Sequence, residues 1–294
     1  MAKTAEIKKR IESVQKIGSI THAMYLVSMA KLQKNQKRIE TLKTYEKLVK
    51  RHISEILAAA HYSDESAYSP FLRKIPNPIN IAYIVFTSDF GLCGGYNVNI
   101  MRKLQQTLAA APHEKPCVYM VGKSGNNKAK HYEVPVFRAL IGETDVLSYS
   151  ELREGITLDV IERYYNGEFD AIRVLYTRYI NPLIQEIEMD QLLPIADMDT
   201  LLEDAKVDFA PYTIFEPNPD EFLDYLIRKN IKSTTYIHYL DAQTSEEAIR
   251  RLSMDNANKS GGELIDELQL LYNRERQAGI TQEMAEIIGG SETT

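Results

Sequence analysis

The sequence predicts an α/β protein in which helices at the two ends of the chain form a long antiparallel coiled coil and a central α/β domain carries a mostly parallel sheet. Three observations lead to this prediction. All 11 prolines lie between Pro70 and Pro219, apolar residues recur at helical spacing in both proline-free flanks, and strand-like runs alternate with helical patterns between them. Because a proline inside a helix costs about 3 kcal/mol, the flanks are where very long helices can form. The predicted segments are an N-terminal helix over residues 1–62, a central domain over 63–212 and a C-terminal helix over 213–294.

The N-terminal flank is expected to form one helix over residues 4–61, interrupted by a single glycine, Gly18. At 1.5 Å per residue this helix would be about 85 to 90 Å long, more than the core of a compact domain needs. Its apolar residues recur every three or four positions, which is the near-heptad period of coiled coils. The predicted stripe comprises Ile7, Ile11, Val14, Ile17, Ile20, Met24 and Val27, and later Leu42, Tyr45, Val49, Ile53 and Ile56.

The C-terminal flank continues as helix from Asp220, with glycines at 261, 262 and 279 as its weak points. Its predicted stripe is Leu264, Leu268, Leu271, Glu275, Ala278, Gln282 and Ala285. Two polar members and two alanines make this a thin seam, so neither flank is expected to be stable as an isolated helix. Antiparallel pairing of the two flanks is the economical solution.

The central segment is expected to be Rossmann-like. Strand-like runs lie at residues 79–88, 117–122, 171–179 and 184–194, and helical patterns lie at 98–111, 126–132 and 149–166. Strands that alternate with helices indicate parallel strands joined by helical crossovers.

Charge is distributed unevenly along the chain. Residues 1–51 hold 13 Lys or Arg and four Glu, a net charge of +9. Because the whole chain has a net charge of −6, residues 52–294 have a net charge of −15. This segment calls for an acidic partner. Nucleic acid and a membrane surface are disfavoured, because the cations are spread around the helix and the overall pI is about 5.6. An acidic protein surface is the favoured partner.

Location is expected to be a reducing compartment. Cys93 and Cys117 are too few for a disulfide framework, and no apolar run approaches the roughly 18 to 20 residues of a membrane span. The first residues lack an apolar stretch and include Glu6 and Glu12, so neither a signal peptide nor a transit peptide is expected.

Motifs for catalysis are weak. The turn at residues 88–97, SDFGLCGGYN, follows the first strand, as phosphate-binding turns do, but it fits neither G-x-G-x-x-G nor the P-loop pattern. The six histidines are scattered without metal-ligand spacing. We therefore expect no cofactor, no metal and no catalytic residue in this chain.

Three blocks of sequence resemble the gamma subunits of F-type ATP synthases. They are residues 7–32, with IKKRI, SV, ITHAM and SMAKL; the SDFGLCGGYN turn; and residues 263–287, with ELI, LYNR, RQA, ITQE and AEI. Their order and spacing match the family over essentially the whole chain.

The resemblance implies a non-catalytic rotor shaft of an ATP synthase at the cytoplasmic face of a bacterial cell membrane. In that family the terminal helices enter a hexameric ring of alpha and beta subunits. The central domain protrudes and, with the epsilon subunit, sits on the membrane c-ring. Rotation driven by the ring would carry the beta sites through their catalytic states, and ATP hydrolysis would reverse it.

The resemblance also implies contact residues. The matching positions for beta-subunit contact are Arg276, Gln277, Thr281, Gln282, Met24 and Arg250. Thr213, Phe215 and Glu216 match the foot of the shaft, which faces the c-ring.

Departures from the family pattern leave alternatives open. Phe90 stands where the family usually has a basic residue, so the chain could be the shaft of a divergent F-type-like ATPase not coupled to a proton ring. An unrelated coiled-coil scaffold and a nucleotide-dependent enzyme that uses residues 91–95 are the other readings. The first would not associate with a hexameric ATPase, and the second would bind a dinucleotide as an isolated chain.

Overall fold

The computed structural model describes the backbone of residues 2–59, 69–73, 75–142, 147–195 and 219–291. The chain divides into two compact units. One comprises Met1–Ala30 with Arg250–Thr294, and the other comprises Lys31–Ile249. Both predicted domain boundaries, 62/63 and 212/213, lie outside the described residues and stay predictions.

Two long helices form from the proline-free flanks. Helix α1 spans Ala2–Ala59, 58 residues, and the last helix, α6, spans Pro219–Ser291, 73 residues. The predicted N-terminal helix is therefore confirmed over residues 4–59, and its predicted end at residue 61 lies outside the described residues. Pro219 begins α6, where its missing N–H carries no penalty because the first amides of a helix lack intrahelical acceptors.

The central elements alternate as predicted. They are, in chain order, a 3₁₀ turn at Pro70–Leu72, β1 Asn80–Phe86, α2 Tyr96–Ala110, β2 Lys115–Val121, α3 Lys123–Lys128, β3 Val136–Leu140, α4 Tyr149–Leu152, a π-helical turn at Arg153–Thr157, α5 Leu158–Tyr165, β4 Ala171–Tyr179 and β5 Gln185–Leu193. Within the described residues the strands form one sheet in the order β3-β2-β1-β4-β5. All neighbouring pairs are parallel except β4 and β5, which form an antiparallel hairpin. The mostly parallel Rossmann-like sheet is confirmed.

Strand β3 is the element that the sequence analysis missed. It lies at an edge of the sheet, and three of its five residues are exposed. A short, half-exposed edge strand lacks the apolar run that marks a buried strand.

Both faces of the sheet are buried, which explains the continuous apolar run of β1. Ile81, Tyr83 and Val85 point to a core shared with α2. The alternate residues of β1, Ala82, Ile84 and Phe86, point to a second core on the other face, shared with α1, α5 and α6. Strands covered on both faces read as unbroken hydrophobic segments rather than as alternating ones.

Helix α6 is buried on all sides between residues 235 and 248. On one side Thr234 donates a hydrogen bond to Glu46 of α1 at 2.8 Å. On another side Ser245 donates to the backbone oxygen of Thr177 in β4 at 2.9 Å. This stretch of α6 therefore lies between α1 and the sheet, which is why polar residues such as Thr244 and Glu246 are buried there.

Candidate interaction surface of the terminal helices

The ends of α1 and α6 pack against each other within the first unit. Ile7 and Ile11 form a buried cluster with Leu268, and Val14, Ile265 and Tyr272 pack around it. A Cβ added at Gly261 would lie 3.9 Å from Cγ1 of Val14. Contact positions rise along α1 as they fall along α6, so the helices are antiparallel, as the sequence predicts.

The seam of α1 differs from the predicted stripe. Ile17, Ile20 and Val27 were expected on it, but they are 58%, 61% and 53% exposed. The buried positions of the first unit continue from Ile11 to Thr21 and Ser28 instead. In a coiled coil the residues that face the partner helix recur every 3.5 positions. In this part of α1 those positions are occupied by polar residues, and the apolar residues lie on the outer face.

The seam of α6 is shifted in the same way. Leu268 is buried against α1, as predicted. Leu264, Leu271 and Ala278 were also predicted on the seam but are exposed, and Ile265 and Tyr272 pack against α1 instead. Hydrophobicity alone selected the wrong register for these residues, because both faces of the helix carry apolar side chains.

A polar contact between Thr21 of α1 and Asn258 of α6 crosses the seam. Thr21 donates a hydrogen bond to Oδ1 of Asn258, and its hydroxyl lies 3.1 Å from the backbone oxygen of Gly18. Polar pairs inside a coiled coil specify register at some expense of stability.

The C-terminal candidates lie on the exposed surface of α6. Arg276, Gln277, Thr281 and Gln282 are all exposed within this chain. Gln277 and Thr281 share one face, and the Thr281 hydroxyl donates to the backbone oxygen of Gln277 at 3.0 Å. Their side chains are available to a partner.

The other candidates differ in accessibility. Met24 is half-buried, and Arg250 is only 5% exposed. Packing within the chain therefore already covers most of the Arg250 side chain. Thr213, Phe215 and Glu216, the predicted foot, lie outside the described residues.

The glycine-containing turn after β1 is closed by its own hydrogen bonds. The buried Ser88 accepts from Nδ2 of Asn97 at 2.6 Å and donates to the backbone oxygen of Phe90 at 2.6 Å. Asn97 in turn accepts from the Ser88 backbone N–H at 3.0 Å. Because the polar groups of this turn bind each other, the contacts favour a structural role over phosphate binding.

The turn after β2 approaches the turn after β1 so closely that position 122 requires glycine. Gly122 has φ +103°, and an added Cβ would lie 2.2 Å from the backbone oxygen of Thr87. Only glycine fits there.

A polar cleft of about 560 Å³, which the sequence analysis did not identify, lies between α1, α6 and the β4–β5 hairpin. Its charged side chains pair across the elements: Lys43 lies 3.7 Å from Asp241, and Arg178 lies 3.1 Å from Glu188. Tyr176 donates its hydroxyl towards Glu188 and Asp190, at 3.1 Å from each. The Lys43–Asp241 pair joins α1 to α6, and the other pairs join β4 to β5. Lys43 and Asp241 are far apart in the chain, so no sequence pattern predicts that they pair.

His238 lies at the wall of this cleft and is buried. Desolvation lowers the pKa of its imidazole to about 4, although the nearby Asp190 and Glu46 carboxylates oppose that shift. Its Nε2 is 3.5 Å from Oδ2 of Asp190. The imidazole is therefore neutral at physiological pH.

Metal-ligand clusters and membrane-spanning helices are absent from the described parts of the chain. Over residues 2–59, 69–73, 75–142, 147–195 and 219–291, no three His, Cys, Asp or Glu side chains are grouped to hold a metal ion. None of the helices in those ranges has the length and hydropathy of a membrane span.

Comparison with known protein families gives one match over nearly the whole chain. The family described as ATP synthase matches residues 3–293. The sodium ion specific ATP synthase gamma chain of Acetobacterium woodii is 33% identical over 303 residues, spanning 98% of this chain and 97% of that protein. The ATP synthase gamma chain of Pelotomaculum thermopropionicum is 32% identical over 291 residues, spanning 99% of both.

Solved structures share the fold. A chain of the Euglena gracilis mitochondrial ATP synthase aligns with a TM-score of 0.66 and 17% identity, covering 99% of this chain and 94% of that one. A chain from the central stalk and c-ring structure of the Tetrahymena thermophila mitochondrial ATP synthase aligns with a TM-score of 0.59 and 21% identity. That alignment covers 81% of this chain and 99% of the Tetrahymena chain.

Proposed function

This chain belongs to the gamma-chain family of F-type ATP synthases, and from that premise we propose that it is a rotor shaft. It couples ion-driven rotation of a membrane c-ring to ATP synthesis, or the reverse, at catalytic beta subunits. The chain itself is non-catalytic.

The observation that carries this proposal is the antiparallel pair of α1 and α6. Their seam buries Ile7, Ile11 and Leu268, while Ile17, Ile20 and Val27 remain exposed on the outer face. Large apolar side chains at helical spacing on an exposed face indicate a surface made for a partner. A shaft inside a ring of subunits requires such a surface.

Coupling then follows from differential contact. A shaft that touches one beta subunit differently from the next biases each subunit towards a different conformation. The excess of cations in residues 1–51 suits acidic surfaces on the ring. Arg276, Gln277, Thr281, Gln282 and Met24 are the proposed beta-subunit contacts. Arg250 belongs to the same proposed set, although its burial within the chain leaves less of it to a partner.

At the other end we propose that Thr213, Phe215 and Glu216 face the c-ring and that the central domain binds the epsilon subunit. The likeness of fold to a chain from the central stalk and c-ring structure of the Tetrahymena enzyme supports this proposal. The chain would lie at the cytoplasmic face of a bacterial membrane as a peripheral component.

The second candidate is the shaft of a divergent ATPase whose rotor is not driven by protons. The Acetobacterium relative, 33% identical to this chain, is described as sodium ion specific, which supports this candidate. Phe90, 53% exposed at the turn after β1, is the departure that favours this alternative. Testing ATP-driven proton pumping against sodium pumping in membrane vesicles separates the two.

Single-molecule rotation tests the proposal directly. The chain would be assembled with the alpha and beta subunits of its own source, and a bead attached through a cysteine at the exposed position Lys130. We expect ATP to rotate the bead in one direction in discrete steps. An assembly that hydrolyses ATP while the bead stays fixed relative to the ring would contradict the rotor assignment.

A further inference from the structure

Four cations outside the surfaces described above lie close enough for three of them to act electrostatically on the fourth, Lys232. One comes from the π-helical turn before α5 and three come from the start of α6: Arg153, Arg228, Lys229 and Lys232. Arg228 and Lys232 are four residues apart, so they share one face of the helix. The Arg153 guanidinium lies over the Tyr149 ring, 6.0 Å from its centroid. That ring packs against Tyr236, one turn beyond Lys232, with 5.5 Å between centroids.

Aromatic rings hold part of this cluster in place. The Arg228 guanidinium lies 4.8 Å from the centroid of Phe71 and 4.6 Å from that of Tyr165. A guanidinium held on two rings loses less conformational entropy on binding than a free side chain does.

The positive charge of the cluster is poorly balanced. No carboxylate of the described residues lies within 4.0 Å of Arg228, Lys229 or Lys232, and the one ion pair is between Arg153 and Glu154, at 2.6 Å. Desolvation, followed by the charges of the other three cations, lowers the pKa of the Lys232 amine, and Glu162 opposes this only in part. Nε of Arg153 is buried and has no hydrogen-bond partner in the described chain.

We propose that Arg153, Lys229 and Lys232, with Arg228 beside them, form a binding site for an anion that carries two or more phosphate groups. Guanidinium groups bind phosphate oxygens through two parallel hydrogen bonds, and ammonium groups add compact charge. Two or more phosphates match several cations better than one carboxylate does. The chemistry is shared by soluble polyphosphates and by the headgroups of an anionic membrane.

Titration of the purified full-length chain with inorganic pyrophosphate tests this site. We expect saturable binding by calorimetry that weakens as salt rises, because exposed charges are screened. In Lys229→Gln/Lys232→Gln the affinity should fall at least tenfold, because both ammonium groups that would contact the phosphates are removed. The matched control is Lys128→Gln/Lys130→Gln, two exposed lysines of the central domain that should leave the affinity unchanged.

Further experiments identify the source of the phosphate and distinguish a loss of binding from a loss of folding. Co-flotation with phosphatidylglycerol vesicles, but not with phosphatidylcholine vesicles, assigns the site to a membrane headgroup. Binding of pyrophosphate alone assigns it to a soluble anion. Arg153→Gln should reproduce the loss with unchanged helix content. The proposal is wrong if neither probe binds at low salt, if the control pair loses as much, or if polyglutamate binds the same residues more tightly. None of these outcomes bears on the rotor assignment.

Discussion

Thr21 and Asn258 are 237 positions apart in the sequence, yet their side chains share a hydrogen bond across the paired terminal helices. Thr21 is 9% exposed, so its hydroxyl has little access to water. Thr21 occupies a position of α1 that the heptad period places on the seam, and its side chain is polar. Their hydrogen bond is one of the contacts that pair α1 with α6 in this unit, together with the cluster of Ile7, Ile11 and Leu268.

Breaking this pair on one side should destabilise the chain. Thr21→Ala leaves Oδ1 of Asn258 without its donor, which costs about 1 to 3 kcal/mol at a covered site. Urea unfolding of the full chain measures it, with Thr41→Ala as control, because the exposed Thr41 hydroxyl binds only the backbone of its own helix. Thr21→Val/Asn258→Leu should recover the lost stability. Equal stability of Thr21→Ala and the control would show that the hydrogen bond contributes nothing.

Cysteines placed on the seam should form a disulfide within one chain. Val14 and Gly261 are a suitable pair, because a Cβ added at 261 would contact the Val14 side chain, 3.9 Å from its Cγ1, and a disulfide needs two Cβ atoms that approach closely. Ile17 and Leu264 point away from the seam, and cysteines there should stay reduced. Oxidation followed by non-reducing electrophoresis distinguishes the two variants. Cross-linking of the outer pair alone would overturn the register described here.

Replacing two exposed side chains near the end of α6 should slow the assembled enzyme. Gln277→Ala/Thr281→Ala removes hydrogen bonds that we propose are made to a beta subunit, and each loss is worth about 1 kcal/mol or more. We expect ATP turnover of the complex to fall about tenfold or more while helix content stays constant. Gln269→Ala/Asn273→Ala is the matched control, with the same spacing on the same helix and equal exposure. Parental turnover in the first variant would remove these residues from the contact set.

Reversing charge on the outer face of α1 should disturb coupling more than folding. Lys16 and Lys34 are exposed, and exposed ion pairs are worth about 0 to 1 kcal/mol each, so Lys16→Glu/Lys34→Glu should barely change the unfolding free energy. Proton or sodium pumping per ATP should decrease, most clearly at low ionic strength. Lys103→Glu/Lys130→Glu, on the central domain, serves as control. Unaltered pumping at low salt would argue against an acidic partner for this face.

Stability should decrease with acid because of His238. Its pKa is about 4 in the folded chain and near 6.5 in an unfolded one, so the unfolded state takes up a proton first as the pH falls. Between pH 6.5 and 4 this difference removes about 3 kcal/mol of stability. The urea midpoint of the parental chain should therefore fall more steeply over this range than that of His238→Gln. Identical pH slopes would show that the imidazole is not desolvated as described.

The sequence by itself determined the two long helices, the order of the central elements and the family. Proline-free flanks between Ala2 and Ala59 and after Pro219 permit helix, and this is a local property of the backbone. The apolar run at residues 79–88 likewise predicted a strand, whereas its burial on both faces is seen only in the structure. The exposed Gln277 and Thr281 were identified only through their place in a family motif, because polar residues on a helix otherwise read as solvated.

Only the tertiary structure decided which face of each terminal helix is the seam. Ile17 and Ile20 are as hydrophobic as Ile7, but α6 packs against the face that carries Thr21, so the apolar pair is left outside. The same holds for Ser245 and its buried neighbours, whose polar side chains are covered because α6 passes between α1 and the sheet. The spacing of apolar residues along the sequence indicates that a helix has an apolar face. The partner that covers it is chosen by contacts between distant residues, and those contacts exist only once the chain has folded.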